Sequence, residues 1–223
     1  MATAPPARNG PELHILVRVW LPDRPGALGL VASRIGSVGA DIVGVDVVER
    51  GDRVAVDEFA VVVPDDGRLD LMVREIEEID GASVEEVRRV GIFPDPRLDA
   101  LESAAALCET ESIDDLHELL TAHVGREFLA DWVALLRGKE ILASDGEGVP
   151  DVAKLVALDA GTAASPLVAD GVSGPEDLAV ARLPAHRAAI LVGRDGHVFR
   201  RRERAQLMML ARVADRAWTL LDG

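Results

Sequence analysis

Apolar residues recur with a period of two from Leu13 onward. Leu13, Ile15, Val17 and Val19 alternate with His14, Leu16, Arg18 and Trp20, which predicts a strand reaching Leu21 and stopped by Pro22. The period then lengthens. Leu28, Val31, Ala32, Ile35 and Val38 fall on one face of a helix that Asp23 is placed to cap and Gly39 to close. Val43, Val45 and Val47 share one side of a second strand, Arg50-Gly51-Asp52 is a turn, and a third strand runs from Arg53 to Val63. Pro64-Asp65-Asp66-Gly67 breaks the chain before a helix carrying Leu69, Met72, Val73 and Ile76, and Val84 to Gly91 is a fourth strand. The predicted order is βαββαβ.

Two prolines in Ile92-Phe93-Pro94-Asp95-Pro96 argue against a helix or central strand there, so residues 94–97 are expected to be a linker. Two helical patterns follow: Leu98, Leu101, Ala105 and Cys108, then Ile113, Leu116, Leu119, Leu120 and Val124. Asp131 to Leu136 and Lys139 to Ser144 flank Arg137-Gly138 as a hairpin, while the Gly- and Pro-rich stretch 145–175 predicts loops with one short helix at Asp151 to Leu158. Strands at Leu178 to Leu183 and Arg187 to Gly193 precede a last helix with Leu207, Leu210, Ala211, Ala214, Ala217, Trp218 and Leu221 on one face. The expected fold class is therefore α+β. Its parts are an arm expected to be disordered at 1–11, a first domain at 12–93, the linker, and a second domain at 98–223.

Charge and composition narrow the partners. The 223 residues carry 39 acidic and 24 basic side chains, a net charge of −15 that repels phosphate backbones, so nucleic acid is not an expected partner. Cys108 is the sole cysteine, which excludes an intrachain disulfide and a cysteine-built zinc site. The Ala- and Pro-rich start lacks the apolar core of a signal peptide, and no apolar run is long enough to span a membrane. A cytoplasmic protein without a membrane partner is the expectation.

Motifs for catalysis are missing. His117 and His123 flank Glu118, but their offset of six residues turns the imidazoles about 240° apart on a helix, against the i, i+4 spacing of a zinc site. Gly171-Val172-Ser173-Gly174 is one residue short of a nucleophile elbow, and neither phosphate-binding glycine motif occurs. Cys108, on the presumed apolar side of its helix, is expected in the core. No metal, cofactor or catalytic residue is expected. The basic run Arg200-Arg201-Arg202-Glu203-Arg204 opens the last helix, where the dipole disfavours cations, and is expected to pair within the chain.

Leu21-Pro22-Asp23-Arg24-Pro25-Gly26-Ala27-Leu28, followed by Gly39-Ala40-Asp41-Ile42, resembles an ACT domain over residues 13 to 91. The resemblance implies a ferredoxin-like sandwich, a homodimer, and a small amino acid held between that loop and the strand start at a subunit interface. Asp23, Arg24, Pro25, Gly26, Ala27, Leu28, Asp41 and Ile42 are then the candidate ligand-binding residues. The ligand carboxylate would meet the free amides near Gly26 and its ammonium Asp41, which stands where the family usually has Asn. Residues 98 to 221 resemble a GAF domain, a sheet flanked by helices that receives small ligands or dimerises. The function expected is regulatory and non-catalytic, the second domain reporting the ligand by dimerising or by touching a protein partner. The alternatives are a ligand-free interaction protein and an enzyme of unrecognised chemistry.

Overall fold

The structure, a computed structural model, describes residues 12–51, 53–169 and 174–223. The predicted arm at 1–11, Asp52 of the predicted turn and Gly171-Val172-Ser173 lie outside the described residues. The chain divides after Phe93 into two compact units.

The first unit runs β1 (Leu13–Pro22), α1 (Ala27–Ser37), β2 (Asp41–Arg50), β3 (Val54–Val63), α2 (Asp66–Glu77) and β4 (Ser83–Arg89). Its antiparallel sheet has the order β2-β3-β1-β4, the ferredoxin-like arrangement. The period-two pattern explains the layering. Ile15, Val17 and Val19 share one face with Phe59 and Val61 and pack under Val31, Ile35, Leu69, Met72 and Ile76 of the two helices. Each such side chain contributes about 1.5–3 kcal/mol by leaving water. The opposite parity carries the buried Leu16 and Val56 together with Arg18, 4% exposed, which donates to Glu58 from Nε at 3.0 Å and from Nη2 at 2.7 Å. β2 is an edge strand with register shifts after Ile42 and after Val47, and Val43, Val45 and Val47 stay exposed along it.

The second unit comprises α3 (Pro96–Cys108), α4 (Ile113–Glu127), β5 (Trp132–Arg137), β6 (Glu140–Gly146), α5 (Val152–Ala163), α6 (Pro166–Ala169), β7 (Leu178–Leu183), β8 (Ala188–Gly193) and α7 (Arg201–Leu221). The sheet order is β6-β5-β8-β7, all antiparallel. One face packs Val133, Leu135, Ile190 and Val192 against Leu116, Leu120, Leu207, Leu210 and Trp218 of α4 and α7. The other packs Ala134, Leu136, Ala189 and Leu191 against Leu155 of α5. Being covered twice, β8 is buried at all six positions and reads as an unbroken apolar run rather than an alternating one. Gly193 ends it under the Trp132 indole, where any Cβ would collide with the ring.

Three expectations change. Helix α3 begins at Pro96, inside the predicted linker, because a proline in the first helical turn gives up an N–H that needs no helical acceptor. Asp95 caps it, its Oδ1 accepting from the N–H groups of Arg97 and Leu98 at 3.1 and 3.2 Å. The face predicted to be buried, Leu98, Leu101, Ala105 and Cys108, is exposed, while Ser103 and Leu107 are buried. Alanines and leucines occur all round this helix, so periodicity did not choose its inner side. Cys108 is accordingly exposed rather than in the core. The third change is in the Gly- and Pro-rich stretch, where α5 continues past Leu158 through Gly161 to Ala163, capped by Asp151, whose Oδ1 accepts from Lys154 N–H at 2.9 Å.

Candidate functional site

The first unit presents an uncapped helix start. After Pro22 ends β1, the Asp23 N–H donates to the Arg53 carbonyl at 2.9 Å and the Ala27 N–H to the Arg24 carbonyl at 3.2 Å. Gly26 is the N-cap residue of α1 at φ 88°, a left-handed conformation suited to glycine, and no side chain caps the helix. Asp23 is therefore not the cap. Pro25 and Gly26 add a turn that delays the helix to Ala27, and the Asp23 carboxylate instead lies 4.0 Å from Arg50 Nε. The first helical bond runs from Leu30 N–H to Gly26 carbonyl at 3.1 Å. Among the described residues, the N–H groups of Leu28 and Gly29 have no acceptor, and the first turn has no acidic residue. Neither glycine is crowded, since a Cβ built on Gly26 or Gly29 meets nothing within 4 Å. Free amides at the positive end of a helix suit a carboxylate.

Asp23, Arg24, Pro25, Gly26, Ala27 and Leu28 thus form one loop and helix start. Asp41 and Ile42 do not join them within one chain. They open β2 at the far end of α1, whose 11 residues span about 16 Å. Asp41 is exposed there, and Ile42 packs on the core.

Sequence reasoning missed Asp57. It lies on β3 between Val19 of β1 and Val47 of β2, on the helix-bearing face, three residues from the strand end at which α1 begins. It is 5% exposed, and its Oδ1 has no hydrogen-bond partner. Burial pushes the Asp57 carboxyl above its ordinary range; Arg50 draws it back down and Asp23 raises it further. One signal was available: Asp57 has the parity of Phe59, Val61 and Val63, so a carboxylate stands where the strand pattern demands an apolar side chain.

Two polar clusters in the second unit resemble catalytic sites in outline. Ser103 Oγ lies 2.8 Å from His123 Nδ1 and donates to Glu127 Oε2 at 3.1 Å, with Gln206 on the other carboxylate oxygen. Ser103 is 0% exposed, so no substrate reaches its hydroxyl, and the network joins α3, α4 and α7 as packing. His186 sits between Asp215 (2.8 Å) and Asp222 (3.1 Å), with both ring nitrogens occupied. His117 and His123 have separate surroundings, the first edge-on to Trp218 and the second beside Ser103. Among the described residues no cluster of His, Cys, Asp and Glu is arranged to hold a metal ion. Of the basic run, Arg204 is buried and donates to the carbonyls of Leu178 (2.6 Å) and Pro175.

An apolar groove of about 570 Å³ lies between α3 and α7, lined by Leu107, Cys108, Met209, Val213 and Leu220. Leu98 and Leu101 extend the apolar surface along α3, 53% and 69% exposed. No described helix is long and apolar enough to cross a membrane.

No curated protein matches the sequence. Residues 15–81, from within β1 to the turn before β4, match the family model of the ACT domain, which suggests a regulatory, small-ligand-binding role for the first unit.

Proposed function

We propose that the protein is a non-catalytic regulator in which the first unit binds a small amino acid at the start of α1 and the second unit passes the bound state to a protein surface. The observation that carries this reading is the uncapped α1 start. Among the described residues the Leu28 and Gly29 amides have no acceptor, in the segment that matches the ACT domain. A carboxylate is the anion such amides take, and the absence of a capping side chain leaves the place free for it.

Asp41 and Ile42 complete the site from a second copy. β2 is an edge strand of ten residues with β3 as its one neighbour in the sheet. Two-fold pairing of such edges is antiparallel, so the Asp41 end of one β2 comes beside the Arg50 end of the other, where α1 starts. The second unit, which we read as GAF-like, contributes the α3–α7 groove as the surface that reports the ligand.

Two measurements test the proposal. Thermal-shift screening against the common L-amino acids is expected to find one that stabilises the chain, by about 2.7 kcal/mol at roughly 100 times its dissociation constant. Light scattering is expected to give twice the chain mass of 23.8 kDa. A chain that stays monomeric and binds no amino acid at millimolar concentration would favour the ligand-free interaction role, which the exposed Leu98 and Leu101 stripe would serve.

A further inference from the structure

We infer that the α3–α7 groove of the second unit binds an amphipathic carboxylate of the fatty-acid class, its hydrocarbon chain lying along the groove and its carboxylate on Arg212 and Arg216. The inference goes beyond the amino-acid reading of the first unit and does not rest on it.

The dimensions of the groove suit a chain rather than a helix. Its lining follows α7 from Met209 to Leu221, a stretch that spans about 18 Å. A volume of about 570 Å³ spread over that length leaves a mean cross-section of about 30 Å². One extended hydrocarbon chain fits such a slot, whereas an α-helix about 10 Å across needs roughly 80 Å². The volume is also that of an ordinary small-molecule site.

The lining says which chain. Leu107 is buried in it, and Met209 and Leu220 stand beside it 53% and 65% exposed, apolar surface that a hydrocarbon chain would take from water. Thr110 has already given its hydroxyl hydrogen to the Leu107 carbonyl at 2.9 Å. The charged groups of the lining are Arg212 and Arg216, one helical turn apart on α7, and no carboxylate lines the groove among the described residues.

Both guanidiniums are free to take an anion. The chain carries 39 acidic side chains, yet among the described residues neither Arg212 nor Arg216 pairs with one. Asp215 and Asp222, the acidic residues of α7 and its cap on this side of Arg212, are engaged by His186. Arg212 Nη1 instead donates to the Met209 sulfur at 3.4 Å, which holds the guanidinium against the apolar lining. A carboxylate there makes charge-assisted hydrogen bonds to the pair, and a cationic head is repelled. A seated chain also covers the surface offered above to a protein partner, so ligand and partner compete.

Cys108 makes the test local. It is the sole cysteine, it is exposed, and it lines the groove, so its alkylation reports occupancy at this place. The experiment follows maleimide alkylation of the full chain with dodecanoate below its micelle concentration, with dodecyltrimethylammonium, and with acetate; calorimetry supplies the affinities. Dodecanoate at about ten times its dissociation constant is expected to slow alkylation about tenfold, and the other two to leave the rate unchanged. The double variant Arg212→Gln, Arg216→Gln alters two exposed positions, so the fold is expected to persist while dodecanoate binds about tenfold or more weakly. Equal protection by the two dodecyl compounds overturns the inference, as does protection that survives intact in the double variant. Calorimetric binding that leaves alkylation unchanged, or no binding up to millimolar concentration, overturns it as well. Alkylation that slows with protein concentration alone puts a second copy in the groove and has the same consequence. If the double variant fails to fold, the comparison of the two dodecyl compounds still decides. Failure of the first unit to bind an amino acid leaves all of these results standing, so the two readings fall separately.

Discussion

His186 lies flat on Trp218, with ring centroids 4.1 Å apart and planes 4° from parallel. The stack and the two carboxylate contacts of His186 tie the Pro184–His186 turn between β7 and β8 to the last two turns of α7. The His186→Ala variant is expected to lose about 2 kcal/mol of stability in the second unit, measured by urea denaturation followed through tryptophan fluorescence. A loss below 0.5 kcal/mol, roughly that of a neutral surface change, would mean the clamp is ornamental.

His117 gives the second unit a dependence on acid. Desolvation lowers its pKa from 6.5; Arg137 and His186 act in the same direction, and Asp114 and Asp222 oppose them. A base whose folded pKa lies below its unfolded one contributes stability that is present above pH 6.5 and is lost as pH falls from there through the folded value. The His117→Gln variant, which has no proton to gain, is expected to show a flatter loss of stability between neutral pH and about pH 5 in parallel denaturation series. Identical slopes for the two proteins would disprove the assignment.

Asp57 works in the opposite sense. A carboxyl whose folded pKa is raised above 3.8 contributes stability that is fully present below that value and is lost as pH rises through the folded pKa. Without ligand, Asp57→Asn is therefore expected to raise the stability of the first unit at neutral pH by about 1 kcal/mol, with the gain shrinking to nothing near pH 3. Calorimetric melting at several pH values checks both the sign and the convergence.

Gly26 and Gly29 are three residues apart at the start of α1 and should respond oppositely to alanine. Neither would meet a neighbour through an added Cβ, so sterics does not separate them. Gly26 sits at φ 88°, where an L side chain costs about 1–2 kcal/mol, whereas Gly29 is inside the helix, where alanine gains about 0.5–1 kcal/mol. Thermal unfolding of Gly26→Ala and Gly29→Ala should bracket the wild type, and the same sign for both would contradict the left-handed cap.

Residues 1–93 expressed alone are expected to fold, because the core of the first unit, from Ile15 to Ile79, is complete without any residue beyond Phe93. Dispersed amide resonances from the fragment would support this expectation, and a collapsed spectrum would show that the units depend on each other.

What the sequence disclosed follows from how one-sided each element is. β1 and β3 turn one face to the helices, and Ile15, Val17, Val19, Phe59 and Val61 occupy it at a period of two, while α7 has one stripe that lands where periodicity puts it. Helix α3 has apolar residues around its circumference, and its inner side was decided by what α4 and α7 offered, chiefly the Glu127 carboxylate that receives Ser103. That is a tertiary fact with no local trace. The loop at Gly26 was legible from Pro25-Gly26, but its separation from Asp41 depends on the length and direction of α1. Asp57 was visible as a parity violation in an apolar strand, with no motif around it to mark it.

The double cover over β8 also fixes how the second unit comes apart. Its six residues are buried on both faces, and β5 and β7 occupy both of its hydrogen-bonding edges. Fraying of a helix end or loss of the outer strand β6, which does not touch β8, leaves both edges paired, so its amides exchange with solvent only when β7, β5 or the whole unit comes away. Deuterium uptake at Ile190 and Leu191 would then clock that opening, and anything that binds the native second unit would slow that clock in proportion to its affinity.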